Sequence, residues 1–378
     1  MAFAVYSLGY SDLYPPLQPS LEWFLLSTCV VCIILGYTTR QRTRPRVFDP
    51  EPVLTQAAIF AALVGAFMVE VAANRGIPLL QIAGGADVSY RDFGVPVLHV
   101  AFSGFCYFFA VYWFDVYLTG RRRIFLVFSG SAFFTSILIF SRGAFIVTLI
   151  ALMGVYIQRR GFRRRLLVIF AVLAAALLWG FGYLGDIRTH GASGESVILS
   201  VGEASDKFRS SNIPTELFWP YLYTSSPLAN LQLNITDRVA HDSPGLYFVL
   251  EFLPDFVSKR LVSDADMDFS SPQLIVEQLT VCTMYGRAFV LMGWLGVWLS
   301  FAYLIAVSLV CLRVLRNSKY LVATTGILSS LAFLSIFDNL YIVSGGIMQV
   351  LVALVLKWFE RTPQLEPGPQ QNWRQITI

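Results

Sequence analysis

Of the 378 residues, 56% are hydrophobic and 14% are charged, and the mean hydropathy is +0.62. Soluble domains carry about 25% charged residues, so a soluble globular enzyme is excluded. Several apolar runs reach the ~20 residues that a bilayer-crossing helix needs, which also excludes a β-barrel of short alternating strands.

In chain order, nine spans are expected at 21–37, 53–71, 95–117, 124–141, 143–157, 166–184, 287–311, 320–341 and 344–359. Ahead of the first, AFAVYSLG is too short to span and lacks the basic n-region of a signal peptide. It reads as the tail of an earlier helix, as a translation start placed too far downstream would leave it. Cys29 and Cys32 form a C-x-x-C inside an apolar helix with no second pair nearby, so packing is expected rather than metal or redox chemistry.

Lys and Arg cluster in alternate connections: RQRTRPR after the first span, RRR at 121–123, RRGFRRR at 159–165, RVLRNSK at 313–319, and the C-terminal tail. Of 28 basic residues, 17 fall in these five segments. The positive-inside rule makes all five cytoplasmic and puts the N-terminus outside. RRGFRRR is then a topogenic loop touching anionic headgroups, and no nucleic-acid module accompanies it.

The run from Ile124 to Ile157 is 34 residues long, with Arg142 its only charge. One helix cannot hold it within a ~30 Å core, and both ends are basic. It is therefore expected to form a hairpin turning at SRG, with Arg142 at the outer apex. Such an arginine is either a snorkelling anchor or an anion site, since a guanidinium fork matches phosphate oxygens. Arg75 and Arg91 flank the external segment 72–94, Arg188 follows the sixth span, and Arg287 opens the seventh. These arginines either converge on a lipid-linked pyrophosphate or pair with acids of the large external loop.

That loop, 185–286, holds 13 acidic residues against six Lys and Arg, and its Trp, Tyr, Leu and Pro content predicts a folded unit. Within it, NIPTELFWPYLYTSSPLANLQL and SPGLYFVLEFLPDFV are expected to be short helices on or dipping into the outer surface. His241 suits proton transfer at neutral pH or is structural. Asp264, Asp266 and Asp268 of DADMD resemble a D-x-D metal motif, but no EF-hand glycine and closing glutamate follow and the next residues, FSSP, read as a solvated turn, so no metal is expected here. No spaced histidine pair suggests zinc.

Four segments carry a resemblance to a known family. They are YLYTSSPLANL at 221–231, RGIPLL at 75–80 with Tyr90 and FGVPVLH at 93–99, SRGAF at 141–145, and LTVCTMYGRAFVLMGWLG at 279–296. YSLGYSDLYPPLQPS at 6–20 adds a fifth, similar to the family's link between its first two helices. Together they resemble the O-antigen polymerases (Wzy), or oligosaccharide repeat unit polymerases.

The resemblance implies an all-α, GT-C-like multi-pass glycosyltransferase of the bacterial inner membrane, acting on its periplasmic side without a cofactor or metal. Membrane helices with the arginine-tipped hairpin would occupy 1–184, a periplasmic loop 185–286, further membrane helices 287–360, and a cytoplasmic tail 361–378. A glycan on undecaprenyl pyrophosphate would be transferred to the next lipid-linked repeat unit, with a chain-length regulator as partner. Arg142, Arg188 and Arg287, with Arg75 and Arg91, would hold the pyrophosphate. His241, Glu216, Asp242 or Asp338 would be the base, with Asp338 alternatively orienting an arginine. Tyr223 and Asn230 would line the glycan path. The alternatives are an O-antigen ligase joining glycan to lipid A–core, and a transporter or flippase of an anionic lipid-linked substrate.

Overall fold

The computed structural model describes residues 2–39, 52–84, 93–162, 168, 197–238 and 240–360. Among them there is helix but no strand, apart from one isolated bridge between Ser11 and Ala204. A one-turn helix α1 (Ala2–Tyr6) precedes α2 (Pro19–Thr39), α3 (Val53–Ala73), α4 (Pro78–Ala83), α5 (Leu98–Gly120), α6 (Arg123–Leu138) and α7 (Arg142–Arg160). The large loop holds α8 (Val197–Val201), α9 (Asp206–Arg209), α10 (Phe218–Asp237), α11 (Pro244–Phe252), α12 (Asp255–Leu261) and α13 (Asp264–Ser270). Then come α14 (Gly286–Val314), α15 (Leu321–Leu334) and α16 (Ser344–Phe359).

Among the described residues, five helices are long and apolar enough to cross a membrane: Pro19–Thr39, Val53–Ile82, Leu98–Gly120, Arg142–Arg160 and Gly286–Val314. Three shorter apolar helices, α6, α15 and α16, pack with them. The protein is a polytopic helical membrane protein. Its surface agrees, because Trp23, Ile33, Tyr37, Leu54, Met68 and Trp358 stand exposed, a liability in water and a lipid face in a bilayer. The expected span 166–184 lies, but for Val168, outside the described residues. The span expected at 320–341 is shorter than its apolar run, because residues after Leu334 leave the helix for a series of turns at 335–343.

The hairpin forms where charge and length require it. α6 ends at Leu138, Phe140 adopts a left-handed backbone (φ 62°), and α7 starts at Arg142. Its hydrogen bonds to α5 fix the direction of packing: Cys106 Sγ donates to the Ala132 carbonyl at 3.6 Å and Ser129 Oγ to that of Ala110 at 2.7 Å. The sums of the paired numbers agree within one, as in antiparallel helices. α7 and α15 approach closely at small residues, with an ideal Cβ on Gly326 falling 2.7 Å from the Ala151 carbonyl.

Basic residues gather at one end of this bundle, where α5, α7, α14 and α16 finish and α6 and α15 begin. Arg159 forks onto Asp115 there at 2.6 and 2.8 Å, and the Lys319 N–H meets Glu360 at 3.0 Å. The opposite end receives the large loop: the Met284 N–H meets the Ser335 carbonyl at 2.9 Å and the Asp255 N–H that of Ile342 at 2.9 Å.

The loop folds, but not only as short surface helices. α10 spans 20 residues and buries Ser225, Ser226, Leu228, Leu231 and Asn234. Asn230 and Asn234, one turn apart on one face, bind the extended chain at 273–281. Asn230 Nδ2 donates to the carbonyls of Leu279 and Val281 at 2.7 and 2.8 Å, and the Gln273 N–H reaches Asn234 Oδ1 at 2.9 Å. The 6–20 segment, expected to link membrane helices, also packs on this loop, the Tyr10 N–H meeting the Tyr221 hydroxyl at 3.1 Å and the Gln18 N–H meeting Gln232 at 2.8 Å.

α14 is broken at Gly293, whose φ of 57° and ψ of −145° leave the helical region. A break strands the carbonyls one turn before it, and in an apolar layer these must find other donors. The loop supplies them: the N–H groups of His241 and Ser243 donate to the Val290 and Leu291 carbonyls at 3.0 and 2.9 Å. The Tyr247 hydroxyl donates to the Gly296 carbonyl at 2.9 Å.

Candidate functional site

The loop end of the bundle brings together charged residues from three separated segments. In α11, Tyr247, Leu250 and Glu251 share one helical face. Leu250 and Tyr247 pack on Ala288 and Leu291 of α14, so Glu251 is carried inside with them and is 2% exposed. Asn339, equally buried in the 335–343 loop, holds it, its Nδ2 donating to Glu251 Oε2 at 3.1 Å and to the Glu251 carbonyl at 3.4 Å.

Arg287, one residue into α14, acts by its charge on both Glu251 and Asp338 and favours the ionised form of each. Its Nε is buried and has no hydrogen-bond partner, a cost a native structure retains for a reason. Asp338 is accessible, and its Oδ1 accepts from the Asn339 N–H at 2.7 Å.

Asp255 locks the surroundings. Its Oδ1 accepts from the Ser344 N–H at 2.8 Å and also from the Ser344 hydroxyl, while Oδ2 pairs with Lys259 at 3.0 Å. A carboxylate at the first residue of α16 satisfies an orphan helix donor and complements the helix dipole.

Burial pushes the Glu251 carboxyl up to about 7; Arg287 and Asn339 oppose the shift and Asp338 adds to it. Although its side chain reaches the surface, partial desolvation by the surrounding protein also raises Asp338, against the Asn339 N–H and Arg287. A carboxyl raised in the folded state stabilises below its unfolded value, and that stability is lost as pH rises through the folded one. Glu251→Gln is therefore expected to be more stable than the parent by about 3 kcal/mol at pH 8, shrinking to under about 1 kcal/mol at pH 5. Thermal unfolding in detergent at the two pH values checks this, and an equal gap at both would show that Glu251 is not held neutral.

The structure places the sequence-derived residues unevenly. Arg287 and Asp338 lie near enough for the one charge to act on the other, although Asp338 lies in the loop beyond α15 and not inside a span. Arg142 is exposed at the hairpin tip, its guanidinium 5.2 Å from the Phe140 ring centre. Arg75 is exposed at the end of α3 with φ 55°. Arg91 and Arg188 lie outside the described residues. His241 is exposed, its ring 4.1 Å from that of Phe269 and its Nε2 3.5 Å from Arg238, and Asp242 beside it is exposed with φ 49°. Glu216 sits in a single 3₁₀ turn before α10.

Tyr223 is 38% exposed and stacks on Trp219 at 5.9 Å, an accessible aromatic surface. Asn230 is fully buried with both its Nδ2 hydrogens and its Oδ1 used on residues 275–281. It pins the loop and presents no face to a glycan path. DADMD opens α13, which Ser263 caps by accepting from the Asp266 N–H at 3.2 Å, and the FSSP expected to be a turn supplies the last residues of that helix at Phe269 and Ser270. Among the described residues, no three His, Cys, Asp or Glu side chains gather as a metal site.

Sequence reasoning missed Glu251 and Asn339. The signal for Glu251 was one acid in the apolar stretch FVLEF, on the face set by Tyr247 and Leu250. Comparison of the chain with protein-family models, characterised proteins and solved structures yields no match.

Proposed function

We propose that this protein is a lipid-linked oligosaccharide glycosyltransferase of the O-antigen polymerase type. It would be a GT-C-like protein of about nine spans in the bacterial inner membrane, with its large loop in the periplasm. The observation that carries the reading is Arg287, whose buried Nε has no hydrogen-bond partner and whose charge acts on the accessible Asp338 carboxylate. Both lie at the end of the bundle opposite the basic clusters, where a lipid-anchored diphosphate would lie with its tail in the outer leaflet.

In this reading the acceptor hydroxyl of an incoming repeat unit attacks the anomeric carbon of the growing glycan. The bond from that carbon to undecaprenyl pyrophosphate breaks, and the diphosphate leaves with the electron pair. Arg287 stabilises the developing charge, the kind of electrostatic help that is usually the largest catalytic contribution. Arg142 at the hairpin tip and Arg75 would extend that positive field. Asp338 takes the hydroxyl proton, a task its raised affinity for protons suits. Glu251 and Asn339 do not touch substrate and act as positioning residues. Tyr223 and Trp219 offer a stacking face for sugar rings.

A gel of surface lipopolysaccharide from a deletion strain tests this. Loss of a polymerase leaves core plus a single repeat unit, and the plasmid-borne gene restores the ladder. Core with no repeat points to a ligase, repeats trapped in the inner leaflet point to a flippase, and an undiminished ladder sinks the reading.

A further inference from the structure

The basic end of the bundle contains a second polar site, remote from the one above. Where α5 ends, α6 begins and α7 ends, a cleft of about 500 Å³ opens between Arg121, Arg123 and Arg160, with Phe114, Tyr117 and Tyr156 among its walls. No acidic side chain lines it. The nearby carboxylate, Asp115, is already engaged by Arg159, and among the described residues no carboxylate pairs with the three cleft arginines.

One guanidinium is tied down and the backbone sets the position of the other two arginines. Arg160 donates to the Leu118 carbonyl at 2.7 Å, tying α7 to α5 beside the cleft. Arg121 caps α5 in the left-handed region with φ 54° and ψ 16°, its N–H meeting the Tyr117 carbonyl at 2.8 Å. Glycine or asparagine suits that conformation better. The left-handed turn places Arg121 two residues before Arg123, which opens α6. Three like charges around a cleft repel one another, and a bound anion removes that cost.

Beside this cleft the wall turns apolar. Ile124 (39%), Leu126 (42%) and Val127 (58%) stand exposed on the first turns of α6. A soluble anion has no use for such a surface, whereas a phospholipid lays its acyl chains along it while its phosphate enters the arginines. The tyrosine hydroxyls at the rim suit ester and glycerol oxygens.

We propose that this cleft binds the phosphate headgroup of one anionic phospholipid, such as phosphatidylglycerol or cardiolipin, with the acyl chains on the apolar start of α6. Basic pockets between membrane helices take such headgroups, each arginine adding to the attraction. This differs from loose attraction of a basic loop to a charged surface, because it concerns one site, one stoichiometry and named residues.

The test uses the full-length protein in neutral detergent. Cardiolipin and phosphatidylglycerol are titrated in, retained copies are counted by native mass spectrometry, and Tm is followed in parallel. The doubly substituted Arg121→Gln/Arg123→Gln protein is expected to bind the tightest-held lipid about 30-fold more weakly. Arg313→Gln/Arg316→Gln, at the same end of the bundle but off the cleft, is expected to leave that copy in place. A third arm replaces the lipid with inorganic pyrophosphate, which is expected to leave Tm unchanged. Equal retention by the parent and the cleft variant, equal loss in the off-cleft variant, or stabilisation by pyrophosphate matching that by lipid would each overturn the proposal.

Discussion

Arg287→Lys is expected to lower the rate of polymerising a lipid-linked repeat unit by about 10²–10³-fold, the usual loss when one preorganised donor to a developing oxyanion is removed. Lysine keeps the charge that Glu251 and Asp338 feel, so the fold should tolerate it. It loses the planar fork and the Nε that stands buried without a partner. The loss should fall on kcat more than on KM, because the diphosphate gains its extra charge only as the glycosidic bond breaks. In vitro polymerisation with purified protein and lipid-linked acceptor measures this, with thermal unfolding as the folding control. A well-folded variant with parental kcat would remove Arg287 from the chemistry.

Asp115→Ala is expected to destabilise the protein by about 3–5 kcal/mol, the cost of leaving a buried charge without its partner. Arg159 and Asp115 form a bidentate pair at 2.6 and 2.8 Å that joins α7 to α5, with side-chain exposures of 10% and 3%. The paired change Asp115→Leu with Arg159→Met should recover most of the loss, because well-packed apolar groups replace buried ion pairs at little cost. Thermal unfolding in detergent of both single variants and the double variant completes the cycle. A double variant as weak as the single one would mean that the pair does more than neutralise itself. Since 115 and 159 lie at the basic end, polymerisation by the refolded double variant should stay near that of the parent.

The hairpin shows how much one sequence can disclose. A 34-residue apolar run with basic residues at both ends must turn back, and the turn falls at Ile139–Ser141, beside the expected SRG. The folded large loop and the apolar helices around it were legible for the same reason, since hydropathy and charge are properties of consecutive residues. Asn230 was a different case. An asparagine in a motif-like SPLANL invites a ligand role, but its partners at 275, 279 and 281 are backbone groups of a distant loop that no local pattern reveals. The 6–20 segment likewise gave no local sign that it would pack on α10 two hundred residues later.

The charged constellation lies at that boundary. Arg287 was visible as a basic residue opening a span, and Asp338 as an acid near the end of another. Glu251 looked like one acid among 13 in its loop, because its burial depends on Asn339, 88 residues away, and on α14 breaking at Gly293 to receive the loop. Sequence alone determined the membrane class, the alternation of basic segments and the hairpin, since bilayer thickness and charge placement act on each segment separately. Only the tertiary structure decided which carboxyl is buried, which arginine keeps an unsatisfied donor and which three arginines surround a cleft. Those properties belong to segments that meet only when the helices pack, and desolvation has no value until they do.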